Sequence, residues 1–324
     1  NTMKRGYIFM NIAEKVFHRY EKNPLIAPKD VPGAYGTFNC GQTMYNGKTI
    51  LLLPVQEMGN QVPSIHLAES EDGINFNIHS EPFIKRSEKF YDLDHWLIDP
   101  RVAYIPEDDM YYIIRPINSS WGCSSLLLRT KDFKSVEEMG IVALPHNRVP
   151  SLFQGKVNGR YARLDRPYGA GTSGGGNIWI SYSDDLVHWG DYKPFMKPYT
   201  NWAADKIGPT PPIKTKYGWL EIYHGVKWLR YSLGAVLMDL DDPTKIIART
   251  KSPILTPNEP YEYMGHTNAG TVFACGAIVE EEKDEIRLYY GAADCAIGFA
   301  TGKLSELIEL IMLEDKEFDD WRWS

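Results

Sequence analysis

The chain has 324 residues, 43% of them apolar and 24% charged, with a net charge of −7 and a pI near 5.7. That supports a large core, and an acidic chain with no run of Lys and Arg interleaved with aromatics excludes nucleic acid as an expected partner. The longest apolar runs, such as "TILLLPV" (49–55), are too short to cross a bilayer, so no membrane partner is expected either.

In chain order, the first signal is helical, over residues 10–20. This stretch has no apolar core of signal-peptide length. Alternating strands follow: "TMYNGKTILLLPV" (43–55), "RVAYIPEDDMYYIIRP" (101–116), "KVNGRYARLDRP" (156–167), "IKTKYGWLEIYHGV" (213–226) and "AIVEEEKDEIRLYYGAAD" (277–294). Between them one pattern recurs: a strand end, an acidic turn, an aromatic and another strand. It reads "AESEDGINFNIHSEPFI" (68–84), "LRTKDFKSVEEMGIV" (128–142) and "SYSDDLVHWGDYKPFM" (181–196), more loosely "MDLDDPTKIIARTKSPIL" (238–255). "FATGKLSELIELI" (299–311) begins alike and then turns helical, giving a second helix over 303–314. The turns fall near 71, 131, 184, 241 and 302, spaced about 53 to 61 residues apart. Five strand-rich units at that period predict an all-β chain, a five-bladed β-propeller with short N- and C-terminal helices, forming one domain over 1–324. A large β-sandwich would need no fixed period.

A propeller brings scattered strand ends together at one funnel. The polar residues it would gather are Asn39, Asp99, Arg148, Arg163, Arg166, Lys206, His224 and Asp294. Asp99 lies among apolar residues in "HWLIDPRV" (95–102), where a carboxylate is costly unless paired or used. Each residue alone has an ordinary account: a loop Arg is usually solvated, and a strand-end His is usually a satisfied core group. Together, several cations suit an oxyanion, with Arg offering a planar fork and Lys a point charge. A lone acid beside them suits protonation of a leaving group. Glycosidic hydrolysis normally needs two carboxylates, so one acid with a cationic pocket suggests phosphate in place of the base and its water.

The motifs "IDPRV", "NRVPSLFQGKVNGRYARLDRP", "SDDLVHWG", "KIGPTPPIKTKYGWLEIYHGV", "YSLGAVLMDLDDP" and "YYGAAD", in this order, resemble glycoside hydrolase family 130, the β-mannoside phosphorylases and related β-mannosidases. The likeness spans about residues 23 to 310, and its fold is a five-bladed propeller. It implies that Asp99 is the general acid, donating its proton through the mannosyl 3-hydroxyl. Inorganic phosphate then attacks with inversion to give α-mannose 1-phosphate. It implies phosphate binding by Arg148, Arg166, Lys206 and His224, and substrate binding by Asn39, Arg101 and Asp294. No metal or organic cofactor is implied, and family members are often homo-oligomers.

This chain departs from the family at Pro54, where an Arg is expected, at Ile98, where an aromatic precedes Asp-Pro-Arg, and at "FACGA" (273–277). These changes fall on the sugar side. Two rival readings are a hydrolase of the same fold and a non-catalytic carbohydrate-binding propeller. Four cysteines (Cys40, Cys123, Cys275, Cys295) without CxxC or zinc-ligand spacing read as free thiols of a cytoplasmic protein.

Overall fold

The computed structural model describes residues 16–168, 176–198 and 202–316. Strand β1 (Phe17–Arg19) is set apart from the strands that follow it in the chain. The first blade holds β2 (Ala34–Thr37), β3 (Gly41–Tyr45), β4 (Lys48–Glu57), β5 (Ser64–Ser70) and β6 (Asn77–Ile84). The second holds β7 (Arg101–Ile105), β8 (Met110–Ser119), β9 (Gly122–Thr130) and β10 (Glu137–Ala143). The third holds β11 (Ser151–Leu152), β12 (Tyr161–Asp165), β13 (Ile178–Ser183) and β14 (Gly190–Met196). The fourth holds β15 (Lys206–Gly208), β16 (Ile213–Thr215), β17 (Gly218–Lys227), β18 (Arg230–Met238) and β19 (Ile246–Arg249). The fifth holds β20 (Val272–Ala274), β21 (Ile278–Glu280), β22 (Glu285–Ala292) and β23 (Ala296–Lys303), and helix α1 (Leu304–Lys316) follows. The five antiparallel sheets form a ring, the five-bladed propeller that the repeat predicts.

Burial follows from position in the blade. Second strands lie between neighbours on both edges and other blades on both faces, so they read as apolar runs rather than alternations. Ile50, Leu51, Leu52 and Leu53 of β4 are all fully buried. The outer strand β6 is half-exposed or exposed along its length until Ile84 at its end, which is buried. Neighbouring blades share cores: Ile50, Leu52 and Leu67 of the first meet Val102, Ile113 and Leu128 of the second. Each such side chain contributes about 1.5–3 kcal/mol on full burial.

The recurrent turn joins the third strand of a blade to its outer strand, and an aspartate builds it. Asp72 Oδ1 accepts from the N–H groups of Ile74 and Asn75 (2.9 and 2.8 Å), and Asp185 Oδ1 from Val187 and His188 (2.9 and 2.8 Å). Asp239 Oδ1 accepts from Asp241 and Asp242 in the same way (2.9 and 2.8 Å). These are Asx turns, which let a short polar side chain replace a backbone partner.

The fifth unit lacks this hairpin for a topological reason. The outer partner of β23 is β1, in antiparallel register with Phe17 opposite Gly302 and Arg19 opposite Ala300. The chain after β23 is therefore free to become α1, as expected. The expected N-terminal helix is corrected at Phe17–Arg19, which are strand because β23 offers them a ladder; residues 10–15 of it lie outside the described residues. The Arg19 guanidinium fastens the join, with Nε 2.8 Å from Oε1 of the buried Glu262.

First strands begin, and second strands end, at the same end of the ring. Loops from one blade to the next open there too. Asp99 precedes β7, Arg148 precedes β11 and Lys206 begins β15, while Arg166 follows β12 and His224 lies near the end of β17. Asp294 occupies the turn between β22 and β23. Strands from all five blades thus deliver polar groups to one mouth.

Candidate active site

A cavity of about 160 Å³ opens at this mouth, and Asn39, Asp99, Arg148, Arg166, Lys206, His224 and Asp294 all line it. Ile98, Tyr231, Thr271 and Phe273 complete its wall. Asp99 is 3% exposed and adopts φ +53°, a left-handed conformation that Asp tolerates better than most residues. Its Oδ1 accepts from Asn39 Nδ2 at 2.7 Å, and its Oδ2 meets Arg148 Nη2 at 3.3 Å.

Arg101 does not line the cavity. It sits behind Asp99, donating from Nη1 to the Asp99 carbonyl (2.8 Å) and from Nε to the Pro209 carbonyl of the fourth blade (3.2 Å). Its guanidinium carbon lies 5.8 Å from the centre of the Phe273 ring. It holds the backbone that carries the acid, a position at odds with the direct substrate contact expected of it.

On the opposite wall Arg166 is 8% exposed and directs Nη1 to His224 Nε2 at 3.1 Å. A guanidinium only donates, so Nε2 accepts and the imidazole proton resides on Nδ1. Burial first, then Arg166, Arg101, Lys206 and Arg148, hold the His224 pKa well below the usual histidine value. His224 is therefore neutral near pH 7, a donor through Nδ1 and not a cation. Burial and neighbouring Arg101 lower Arg166 to about 10, which leaves it charged. Arg166 Nε and His224 Nδ1 are buried and have no protein partner. Lys206 Nζ lies 5.3 Å from the centre of the Tyr231 ring. Burial opposes the charge on Arg148, but Asp99 and its neighbours raise its pKa overall. Across the cavity, burial first and Asp99 second raise Asp294 to about 6.

Two glycines make these approaches possible. A Cβ on Gly208 would collide with the His224 ring and come within 2.7 Å of Arg166 Nη1. A Cβ on Gly291 would occupy the space of the Asn39 amide.

Arg163 is a correction. Its Nε lies 3.0 Å from Asp165 Oδ1, its Nη1 donates to the Val142 carbonyl at 2.8 Å, and its guanidinium stacks 4.1 Å from the Trp189 ring centre. It faces a larger hollow of about 810 Å³ along the second and third blades. There its charge is paired with that of Asp165. Arg166 forms an ion pair with neither Asp165 nor Asp205, whose Oδ2 accepts from the Trp228 N–H at 2.6 Å. Tyr231, Thr271 and Phe273 were not legible as site residues, because each sits in or beside an ordinary apolar strand. Among the described residues no three or more His, Cys, Asp or Glu side chains group as metal ligands, and no helix is long and apolar enough to cross a membrane.

A family model described as beta-1,4-mannooligosaccharide phosphorylase matches residues 4–313. A 1,2-β-oligomannan phosphorylase of a Thermoanaerobacter species is 38% identical, covering 78% of this chain and 83% of its own. A β-1,4-mannooligosaccharide phosphorylase of Ruminococcus albus is 30% identical, covering 91% of each. The solved β-1,2-mannobiose phosphorylase of Listeria innocua, in complex with β-1,2-mannobiose, superposes with a TM-score of 0.83 at 31% identity, over 92% of this chain and 99% of that one.

Proposed function

The chain belongs to glycoside hydrolase family 130, and from that premise we propose that it is an inverting phosphorylase of β-mannosides, with β-1,2-linked mannose as its substrate class. One observation carries the phosphorolytic reading. Arg166 and His224 line a cavity together with Arg148 and Lys206, and each carries a buried donor without a protein partner, Nε and Nδ1. Buried donors are ordinarily paired. A phosphate dianion would satisfy both and relieve the repulsion among the cations.

Inorganic phosphate would sit on this wall and attack the anomeric carbon from the face opposite the leaving oxygen. Asp99 supplies the proton through the mannosyl 3-hydroxyl, and the products are α-mannose 1-phosphate and the released sugar. Arg148 links the two halves. Its 3.3 Å contact with Asp99 is long for a charge-assisted bond, so phosphate can draw it away. Phosphate is the sole co-substrate in this scheme, with no metal or organic cofactor. The β-1,2 preference is supported by the Thermoanaerobacter and Listeria relatives, and by Pro54, which provides no side-chain donor on the sugar side. Four free cysteines suit a cytoplasmic, single-domain enzyme.

The test is release of mannose from β-1,2-mannobiose with and without phosphate. Cleavage that depends on phosphate, with α-mannose 1-phosphate formed in equal amount, is the expected result. Cleavage at the same rate without phosphate would make the protein a hydrolase.

A further inference from the structure

Arg148 and Arg166 reach the cavity from different stretches of chain, and neither lies within a strand. Arg148 is in the loop between β10 and β11, and Arg166 stands just beyond the end of β12. Two such groups can share one anion only if their roots keep a fixed separation. One side chain joins the two stretches. Asn147 Oδ1 accepts from the Arg166 N–H at 3.1 Å, and Asn147 Nδ2 donates to Asp165 Oδ1 at 2.8 Å. Asn147 is thus bonded to Arg166 and to the residue before it, and is itself the residue before Arg148.

The backbone of Asn147 is anchored in the second blade. Its N–H donates to the Cys123 carbonyl at 3.1 Å, and its carbonyl accepts from Ser125 Oγ at 2.7 Å, both on β9. Asn147 and Pro167 form an isolated antiparallel bridge, with the Tyr168 N–H donating to the His146 carbonyl at 2.8 Å. In the third blade Asp165 is fixed by Ser181 Oγ at 2.5 Å and by Arg163 Nε at 3.0 Å. The join is dry: Asn147 is 9% exposed and Asp165 2%. A buried partner left unsatisfied there would lose its bond without gaining one from water. An amide matches this pair of neighbours, because the carboxylate accepts and the N–H donates. Asn147 and Asp165 line the larger hollow and not the cavity of the phosphate wall, so they act through other residues.

We propose that Asn147 is a positioning residue for phosphate, setting the spacing of Arg148 and Arg166 across the join between the second and third blades. This rests on the phosphorylase reading. The effect falls on the anion rather than the sugar, since Asn39 and Asp294 are carried by the first and fifth blades. Without the amide the Arg166 stretch can shift against Arg148, and a clamp displaced by even a small distance loses much of its effect.

The test combines calorimetric titration of inorganic phosphate, steady-state KM values for phosphate and β-1,2-mannobiose, and melting curves, for wild type, Asn147→Leu and Asn147→Ser. Leu keeps about the same volume without either bond, and Ser is too short to span both partners. Arg163→Met is the control, because it weakens the same blade from the other side of Asp165, which keeps its bonds to Ser181 and Asn147. Both Asn147 variants should bind phosphate on the order of tenfold more weakly, with its KM raised in proportion and that for mannobiose within about twofold of wild type. Arg163→Met should melt lower yet bind phosphate as wild type does. Phosphate binding within about twofold of wild type in the Asn147 variants, with only the melting temperature lowered, would make Asn147 structural and overturn the proposal. An equal rise in both KM values overturns it too. Should Asn147→Leu fail to fold, Asn147→Ser decides. A wild type that neither binds phosphate nor needs it for cleavage defeats the phosphorylase reading and this proposal together, whereas failure in the variants alone leaves that reading standing.

Discussion

The two walls of the cavity are built on opposite electrostatic plans. The wall of Arg166, Lys206 and His224, from the third and fourth blades, is strained by like charge, with donors that nothing in the protein satisfies. On the wall of Asn39, Asp99 and Asp294, from the first, second and fifth blades, the Asp99 carboxylate is already engaged, by an amide at Oδ1 and by Arg148 at Oδ2. The difference teaches that a preformed anion site is recognisable by what it leaves unsatisfied. A proton donor is recognisable instead by how firmly it is held. Arg148 lines the same cavity and contacts Asp99 across it.

The strongest way to break the comparison is at the acid. Asp99→Asn keeps the shape and the Asn39 neighbour but removes the transferable proton. The turnover number should fall on the order of 10²- to 10⁴-fold, with a melting temperature near wild type. Retention of more than about a tenth of the rate, which lies outside that range, would remove Asp99 from the acid role.

Two arginines three residues apart sharpen the contrast between used and structural charge. Arg166→Lys should raise the KM for phosphate about ten- to a hundredfold, since a charge-assisted contact contributes roughly 1.5–3 kcal/mol and Lys lacks the planar fork. The KM for sugar should stay put. Arg163→Met instead leaves Asp165 buried without its ion-pair partner and should destabilise the fold by about 3–5 kcal/mol, with phosphate kinetics unaltered in the folded fraction. Melting curves and phosphate titrations of both variants check the pair, and a crossed outcome would reverse the assignment.

The smallest expected effect is at Asp294. Burial first, and Asp99 second, raise its folded pKa to about 6 from the ordinary carboxylate value of 3.8. Between those values the folded state holds a proton that the unfolded chain has released. Stability therefore declines as pH rises from about 4 to about 6, and is level above that. Asp294→Asn should flatten this segment of the stability profile. Denaturant melts at several pH values would show it, and an unchanged slope would mean that Asp294 is not the group responsible.

Much of this was legible because periodic chemistry leaves a periodic trace. The recurrent turns, four of them built on aspartate, gave the blade count, and burial on both faces explains the runs "ILLLPV" and "YYIIRP". Arg163 was misplaced for a reason the sequence does contain. Along a strand, residues two apart share a face, which puts Arg163 with Asp165 and sends Arg166 to the other side. Strand β1 was illegible because three residues show no period, and its partner lies at the far end of the described chain. Trp96 and His266 each reach the Phe38 ring only through tertiary packing. The neutrality of His224 depends on neighbours drawn from three other stretches of chain.

The pairing of β1 with β23 also sets an order of events. Four blades are stacks of neighbouring hairpins whose contacts are local, and such contacts form early at little entropic cost. In the fifth, β1 leaves the ribosome before any other strand and must wait for β23, the last, to pair with it. Its closure spans almost the whole described chain, and the entropy of closing a loop grows with its length, though slowly. The clasp is short: three residues of ladder and the Arg19–Glu262 pair. Asp294 lies in the hairpin that the clasp secures, so the sugar wall is complete only once the ring has shut. The phosphate wall, drawn from the third and fourth blades, can assemble before that happens. On the function proposed above, an open ring would hold its anion site without the acid partner correctly faced, and would bind phosphate without turning over sugar.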